Sequence, residues 1–200
     1  MALVAKKKKK KKKLGSRGGS GGSSRDTSPL RPVHQLKRAP CSIGCPNDTK
    51  IRTILTTIAQ TEDAGRTYEE SFEMAYNLFT EVDPIPATIG RVCPHPCESE
   101  CNRQYKDGSL AINNVERFIG DYAIENNLPI KKYTDDTFDE KIAVIGGGPA
   151  GLSCAFQLAR RGYKNVTIFE SLEKAGGMLR YGIPDYRLPQ EVLDKEIQRI

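Results

Sequence analysis

Five cysteines set the chemistry open to the first half of this chain. Cys93, Cys97 and Cys101 stand four apart in RVCPHPCESECNR, and Cys41 and Cys45 repeat the spacing in APCSIGCPND. Pro46, Pro94 and Pro96 flank them, removing backbone donors and stiffening the loops. Thiols grouped this way hold zinc, hold an iron-sulfur cluster or pair as disulfides, and each outcome predicts a different protein. Zinc ribbons favour two-residue gaps between paired cysteines, which the three-residue gaps here do not match. Proline beside cysteine is instead a habit of ferredoxin-type ligand runs. Zinc stays the runner-up, and His95, hemmed in by prolines, reads as a loop residue rather than a ligand.

A second chemistry lies in KIAVIGGGPAGLSCAFQLARRGYKNVTIFE, residues 141–170. It reads as a strand, a GxGxxG turn, an amphipathic helix ending at Gly162 and a second strand closing on an acid, which is the dinucleotide fingerprint in full order. Gly146 permits the tight turn, Gly148 lets backbone approach a pyrophosphate, and Gly151 lets helix and strand pack closely. The helix N-terminus offers unpaired N–H groups and a positive dipole end to phosphate. Glu170 follows the second strand, where its carboxylate can accept from the adenosine ribose hydroxyls and disfavours a 2′-phosphate. Cys154 falls within the helix and reads as a small packing residue. These residues alone do not separate FAD from NAD.

Helices must carry the cysteine loops. Ile51, Ile54, Leu55 and Ile58 share one stripe, and a Thr67/Glu70 capping box precedes Tyr68, Phe72, Tyr76 and Phe79, all read as core-facing. A third helix follows from Ile112, Val115, Ile119 and Tyr122 and stops at NNLP. Glu116 lies on that helix's apolar face, an expensive place for an unpartnered carboxylate, with a salt bridge at the edge as the bland alternative. Residues 33–130 therefore read as a helical domain, 131–137 as a polar linker, and 138–200 as the start of a Rossmann-type domain.

Composition narrows the partners. The chain has 200 residues, a formal charge of +6 and 38% hydrophobic residues. The charge comes from the run Lys6 to Lys13; without it the acids outnumber the bases. Residues 1–32, lysines followed by Gly and Ser, read as a disordered tail that cannot bury enough apolar surface to offset ordering. Aromatics are 7% and Trp is absent, so no nucleic-acid module is recognisable and nucleic acid is not an expected partner. Neither a secretory signal nor an apolar span is legible, and a cytoplasmic protein is expected, where clustered thiols argue for metal or redox chemistry.

Taken together, RVCPHPCESECNR, VIGGGPAG and GGMLRYGIPDYRLP resemble the small (beta) subunit of NADPH-dependent glutamate synthase and the N-terminal part of dihydropyrimidine dehydrogenase, over roughly residues 33–200. The resemblance implies an α + α/β protein: a helical 4Fe-4S domain followed by the start of a Rossmann-type FAD-binding domain. It implies FAD at the fingerprint, with Gly176 and Gly177 passing the flavin, and NAD(P)H bound by a domain absent from this chain. It implies Cys45, Cys93, Cys97 and Glu116 as ligands of one 4Fe-4S cluster. A second cluster would need cysteines where Val33 and Leu36 stand, which leaves only Cys41 and Cys101. One cluster, a second completed by another chain, or a rearranged set using Cys41 and Cys101 all follow as alternatives.

The function implied is an electron-transfer module of an NAD(P)H-dependent oxidoreductase, passing electrons through FAD and 4Fe-4S to a larger catalytic subunit or remaining domains. The cofactors carry that chemistry, so no acid-base catalytic residue is assigned. About sixty residues of flavin domain supply two strands and one crossover helix, so the chain reads as incomplete or dependent on a partner. Two rivals from other classes remain: a zinc-stapled structural or binding module with a polybasic anchor, and a nucleic-acid adaptor acting through the lysines.

Overall fold

The computed structural model describes residues 38–200, so the tail over 1–32 and the positions Val33 and Leu36 lie outside the described residues. Helix α1 (Pro40–Gly44) opens on a proline, whose fixed φ suits a first helical position. Helix α2 (Ile51–Ala59) buries Ile51 and Ile54 from the predicted stripe. Helix α3 (Tyr68–Phe79) begins with the predicted capping box: the Glu70 N–H donates to Thr67 Oγ1 at 3.2 Å and the Thr67 N–H to Glu70 Oε2 at 2.9 Å. Such a cap is worth about 1 kcal/mol. Tyr68 departs from the core reading. In the first turn it is 50% exposed and its hydroxyl donates to Glu62, because the stripe meets the core only from Phe72 onward.

Helices α4 (Pro86–Val92) and α5 (Pro96–Ser99) follow, each started by proline, then a 3-10 turn over Asn102–Tyr105 and helix α6 (Ile112–Glu125). Ile54, Ala75, Tyr76, Phe79, Ile119 and Ala123 make the core between α2, α3 and α6. Helices α4 and α6 cross with backbone nearly touching. A Cβ on Gly120 would stand 2.2 Å from the Ala87 nitrogen, and one on Gly90 2.5 Å from the Arg117 Cα. Only glycine permits that approach.

Strand β1 (Phe138–Ile145), helix α7 (Pro149–Arg160) and strand β2 (Tyr163–Phe169) form the expected βαβ unit. The strands pair in parallel, with Ile142 opposite Val166 and Val144 opposite Ile168. Helix α7 turns Leu152, Ala155 and Phe156 inward. Cys154 lies off that stripe and is exposed, which corrects the packing role read from sequence. Helices α8 (Met178–Tyr181) and α9 (Gln190–Arg199) complete the described chain.

The two halves are fastened along a polar and apolar seam. Leu179, Leu188 and Leu193 share a buried cluster with Ile85, which precedes α4. Arg160 of α7, 1% exposed, donates to the carbonyls of Thr80 and Lys131 and lies 4.2 Å over the Tyr133 ring. Arg199 of α9 donates to the carbonyls of Ala123 and Leu128 at 2.6 and 2.7 Å. Glu196, buried, accepts from the Ala87 and Thr88 N–H groups at the start of α4, both at 2.8 Å. Among the described residues no helix is long and apolar enough to cross a membrane.

Candidate functional site

Cys45, Cys93, Cys97 and Glu116 line one cavity of about 310 Å³, although they come from four elements. Cys45 follows α1, and Cys93 ends α4, where its N–H donates to the Ile89 carbonyl at 2.9 Å. Cys97 lies within α5, and Glu116 faces inward from the middle of α6. The α4–α6 crossing at Gly90 and Gly120 sets Cys93 beside the Glu116 face. Ile51, Phe79, Ile89, Val92 and Ile112 supply apolar walls.

The loop between Cys93 and Cys97 is bent by His95, whose φ of 46° is left-handed. That bend aims the His95 N–H at Cys93 Sγ, 3.3 Å away, and the His95 ring nitrogen Nδ1 at the Pro94 carbonyl, 2.7 Å away. A carbonyl can only accept, so in that contact Nδ1 carries the proton and Nε2 keeps its lone pair. Cys45 Sγ stands 3.3 Å from the hydroxyl of buried Thr49, a neighbour the sequence did not mark.

Burial sets the protonation of these groups. It pushes the Cys97 thiol up to about 12, helped by the charges of Cys45 and Cys93, and it raises Cys93 as well. Glu116 is pushed up to about 7, again mainly by burial. The two thiols would ionise readily only against a cation, and metal binding displaces such protons. Asp83, fully buried beside Glu116, is raised for the same reason. Asp83 and Glu196 were not singled out from sequence, because an isolated acid carries no periodic signal.

The donor set therefore fits an iron-sulfur core: three thiols and a carboxylate around an apolar-walled space. A single zinc ion would draw sulfurs to about 2.3 Å from one point. Among the described residues, no three His, Cys, Asp or Glu side chains are grouped as a metal ion would need. Cys41 and Cys101 line a different cavity, of about 400 Å³, with Arg52, Leu55, Thr56 and Leu110. Cys41 nevertheless packs, with Cys45, against the buried cluster that contains Cys97. None of the six cysteines is bridged by a disulfide.

The glycine residues of the fingerprint also converge. Gly146 has φ +97° and Gly148 is the extended residue before α7. A Cβ on Gly151 would lie 1.8 Å from the Gly146 oxygen, so the turn closes only on glycine there. The Gly176 N–H donates to the Gly147 carbonyl at 2.7 Å, and a Cβ on Gly177 would meet the Gly148 Cα at 2.9 Å. The two glycine motifs thus form one surface. Glu170, just past β2, accepts from the N–H groups of Gly147 at 2.8 Å and Leu172 at 2.9 Å. Those donors, Leu172 first, hold it below the usual carboxylate range; Oε1 also accepts from the Ser171 hydroxyl at 3.3 Å, and Oε2 keeps a second lone pair for a ribose hydroxyl.

Residues 33–128 match the family model described as Dihydropyrimidine dehydrogenase domain II, 4Fe-4S cluster, and residues 144–198 match an NAD(P)-binding Rossmann-like domain. The cysteine-bearing part thus belongs with the 4Fe-4S domains of this model, and the glycine-bearing part with Rossmann-like domains. It is 40% identical over 183 residues to the NADP(+)-dependent formate dehydrogenase subunit beta of Moorella thermoacetica, covering 81% of this chain and 24% of that one. It is 38% identical to the NAD-dependent dihydropyrimidine dehydrogenase subunit PreT of Escherichia coli, covering 81% and 37%. Against the glutamate synthase [NADPH] small chain of Bacillus subtilis the identity is 36%, covering 66% and 26%. The chain spans between a quarter and two fifths of the length of these relatives. The order of the two matches, 4Fe-4S domain and then Rossmann-like domain, is the order predicted from the cysteine and glycine motifs.

Proposed function

We propose that this chain is the electron-transfer segment of an NAD(P)H-dependent flavin and iron-sulfur oxidoreductase. In this reading Cys45, Cys93, Cys97 and Glu116 hold a 4Fe-4S cluster, while Gly146, Gly148, Gly151, Glu170, Gly176 and Gly177 hold FAD. The single observation that carries it is the shared cavity of the three thiols and Glu116, drawn from four separate elements. A nicotinamide passes two electrons to a flavin, which releases them singly to a cluster, and the protein supplies orientation and electrostatics. Here the apolar walls exclude water, the His95 N–H supports Cys93, and Glu170 fixes the turn on which the pyrophosphate would lie. Cys41 and Cys101 offer only two ligands, so a second cluster at their cavity requires ligands from elsewhere. A larger catalytic subunit or further domain would take the electrons, in the cytoplasm.

The test is anaerobic reconstitution of the full chain with iron, sulfide and FAD. The expected result is close to four irons per chain, absorbance near 400 nm and stoichiometric flavin. Colourless protein holding zinc in place of iron, and binding no flavin, would favour the zinc-stapled module and end this reading.

A further inference from the structure

Cys93 belongs to two cavities at once. On one side it lines the thiol cavity. On the other it lines a polar cavity of about 440 Å³ walled by Arg91, Arg117, Arg187, Asn114 and Tyr186, with His95 and Asn113 also shared between the two. Among the described residues no acid lines this second space. Arg91 is bound at both nitrogens to Asp121, at 2.7 and 3.0 Å, and Arg117 stands 3.8 Å from the same carboxylate. Two of the three guanidinium groups thus share one carboxylate and Arg187 is not paired with it, which leaves the cavity two positive charges in excess. Arg187 is brought there by the YGIPDYRLP turn, so the helical and Rossmann-like halves both contribute to it.

We propose that this cavity is a port for electron exchange, where negatively charged one-electron partners meet the Cys93 edge of the cluster. The inference rests on the cluster reading above. Arg91, held by Asp121, shapes the wall. Arg117, 55% exposed, and Arg187 supply the attraction, and the low-dielectric walls of a cleft focus it. A partner's anionic group held by those two side chains sits one cysteine away from the metal core. In the step tested, the reductant loses one electron and the cluster gains it, with no bond made or broken in the protein.

Stopped-flow bleaching near 400 nm of the reconstituted full chain tests the port with two reductants of opposite charge. Dithionite delivers electrons from an anion, and reduced methyl viologen delivers them from a cation. Arg117→Glu and Arg187→Glu are each expected to slow dithionite reduction three- to tenfold and to leave viologen reduction unchanged or faster. Both differences should shrink at 0.5 M salt, where the Debye length falls to about 4 Å. Lys195→Glu, on the outer face of α9, is the control and should change neither rate. If Arg117→Glu fails to take up a cluster, Arg187→Glu decides alone, since Arg187 lies outside the helical domain. Dithionite rates within twofold of the unaltered protein, or equal slowing by Lys195→Glu, would overturn the port while leaving the cluster reading intact. Unaltered protein that takes up no cluster would overturn the cluster reading, and the port with it.

Discussion

At Gly151 one methyl group decides whether the fingerprint turn can close. A Cβ there would sit 1.8 Å from a carbonyl oxygen, far inside van der Waals contact. Gly151→Ala is therefore expected to cost about 1–3 kcal/mol of stability and to weaken FAD binding at least tenfold, read by flavin fluorescence titration. The cysteines divide equally sharply. Cys97→Ser should remove the absorbance near 400 nm, whereas Cys41→Ser, whose side chain lines another cavity, should keep it; iron counts on both variants check this. These residues were legible in the sequence because each has a neighbour at a diagnostic spacing. Asp83, Thr49 and Glu196 have none, and their importance arises only from what folding brings beside them.

Among the elements, the longer ones were readable and the short ones were not. Helices α2, α3 and α6 and the βαβ unit show a full apolar period or a capping signal, which is what a sequence can display. Helices α1, α4 and α5 run five, seven and four residues, too short for a period, and Pro96, read as stiffening a loop, is a first-turn residue of α5. Yet α4 and α5 carry or flank Cys93 and Cys97. The glycine crossing of α4 with α6 shows how tightly those positions depend on element geometry. Gly120→Ala should push the two helices apart, lower stability by about 1–3 kcal/mol in denaturant titration and reduce cluster retention, because Cys93 and Glu116 sit on opposite sides of that contact.

Across the whole molecule, Glu196 ties α9 to α4 over a sequence separation of 109 residues, and no local pattern announces it. Burial raises its carboxyl from about 4.5 to about 7. Between those values the folded chain binds more protons than the unfolded one, so this contribution is full below pH 4.5 and is lost as pH rises through 7. Asp83 shifts in the same direction. The cluster-free chain is expected to lose about 2–3 kcal/mol of stability between pH 5 and 8 through Glu196, and Glu196→Gln should flatten that slope in urea titrations at the two pH values. The seam that holds Glu196 also includes Arg160 and Arg199, each satisfying carbonyls of the other half. The polar stretch over 131–137 looks from its composition like a place to divide the polypeptide, but Arg160 grips the Lys131 carbonyl and lies over Tyr133. Severing it there would strand a guanidinium on one product and bare amide groups on the other, so the two pieces would be poor candidates for separate expression.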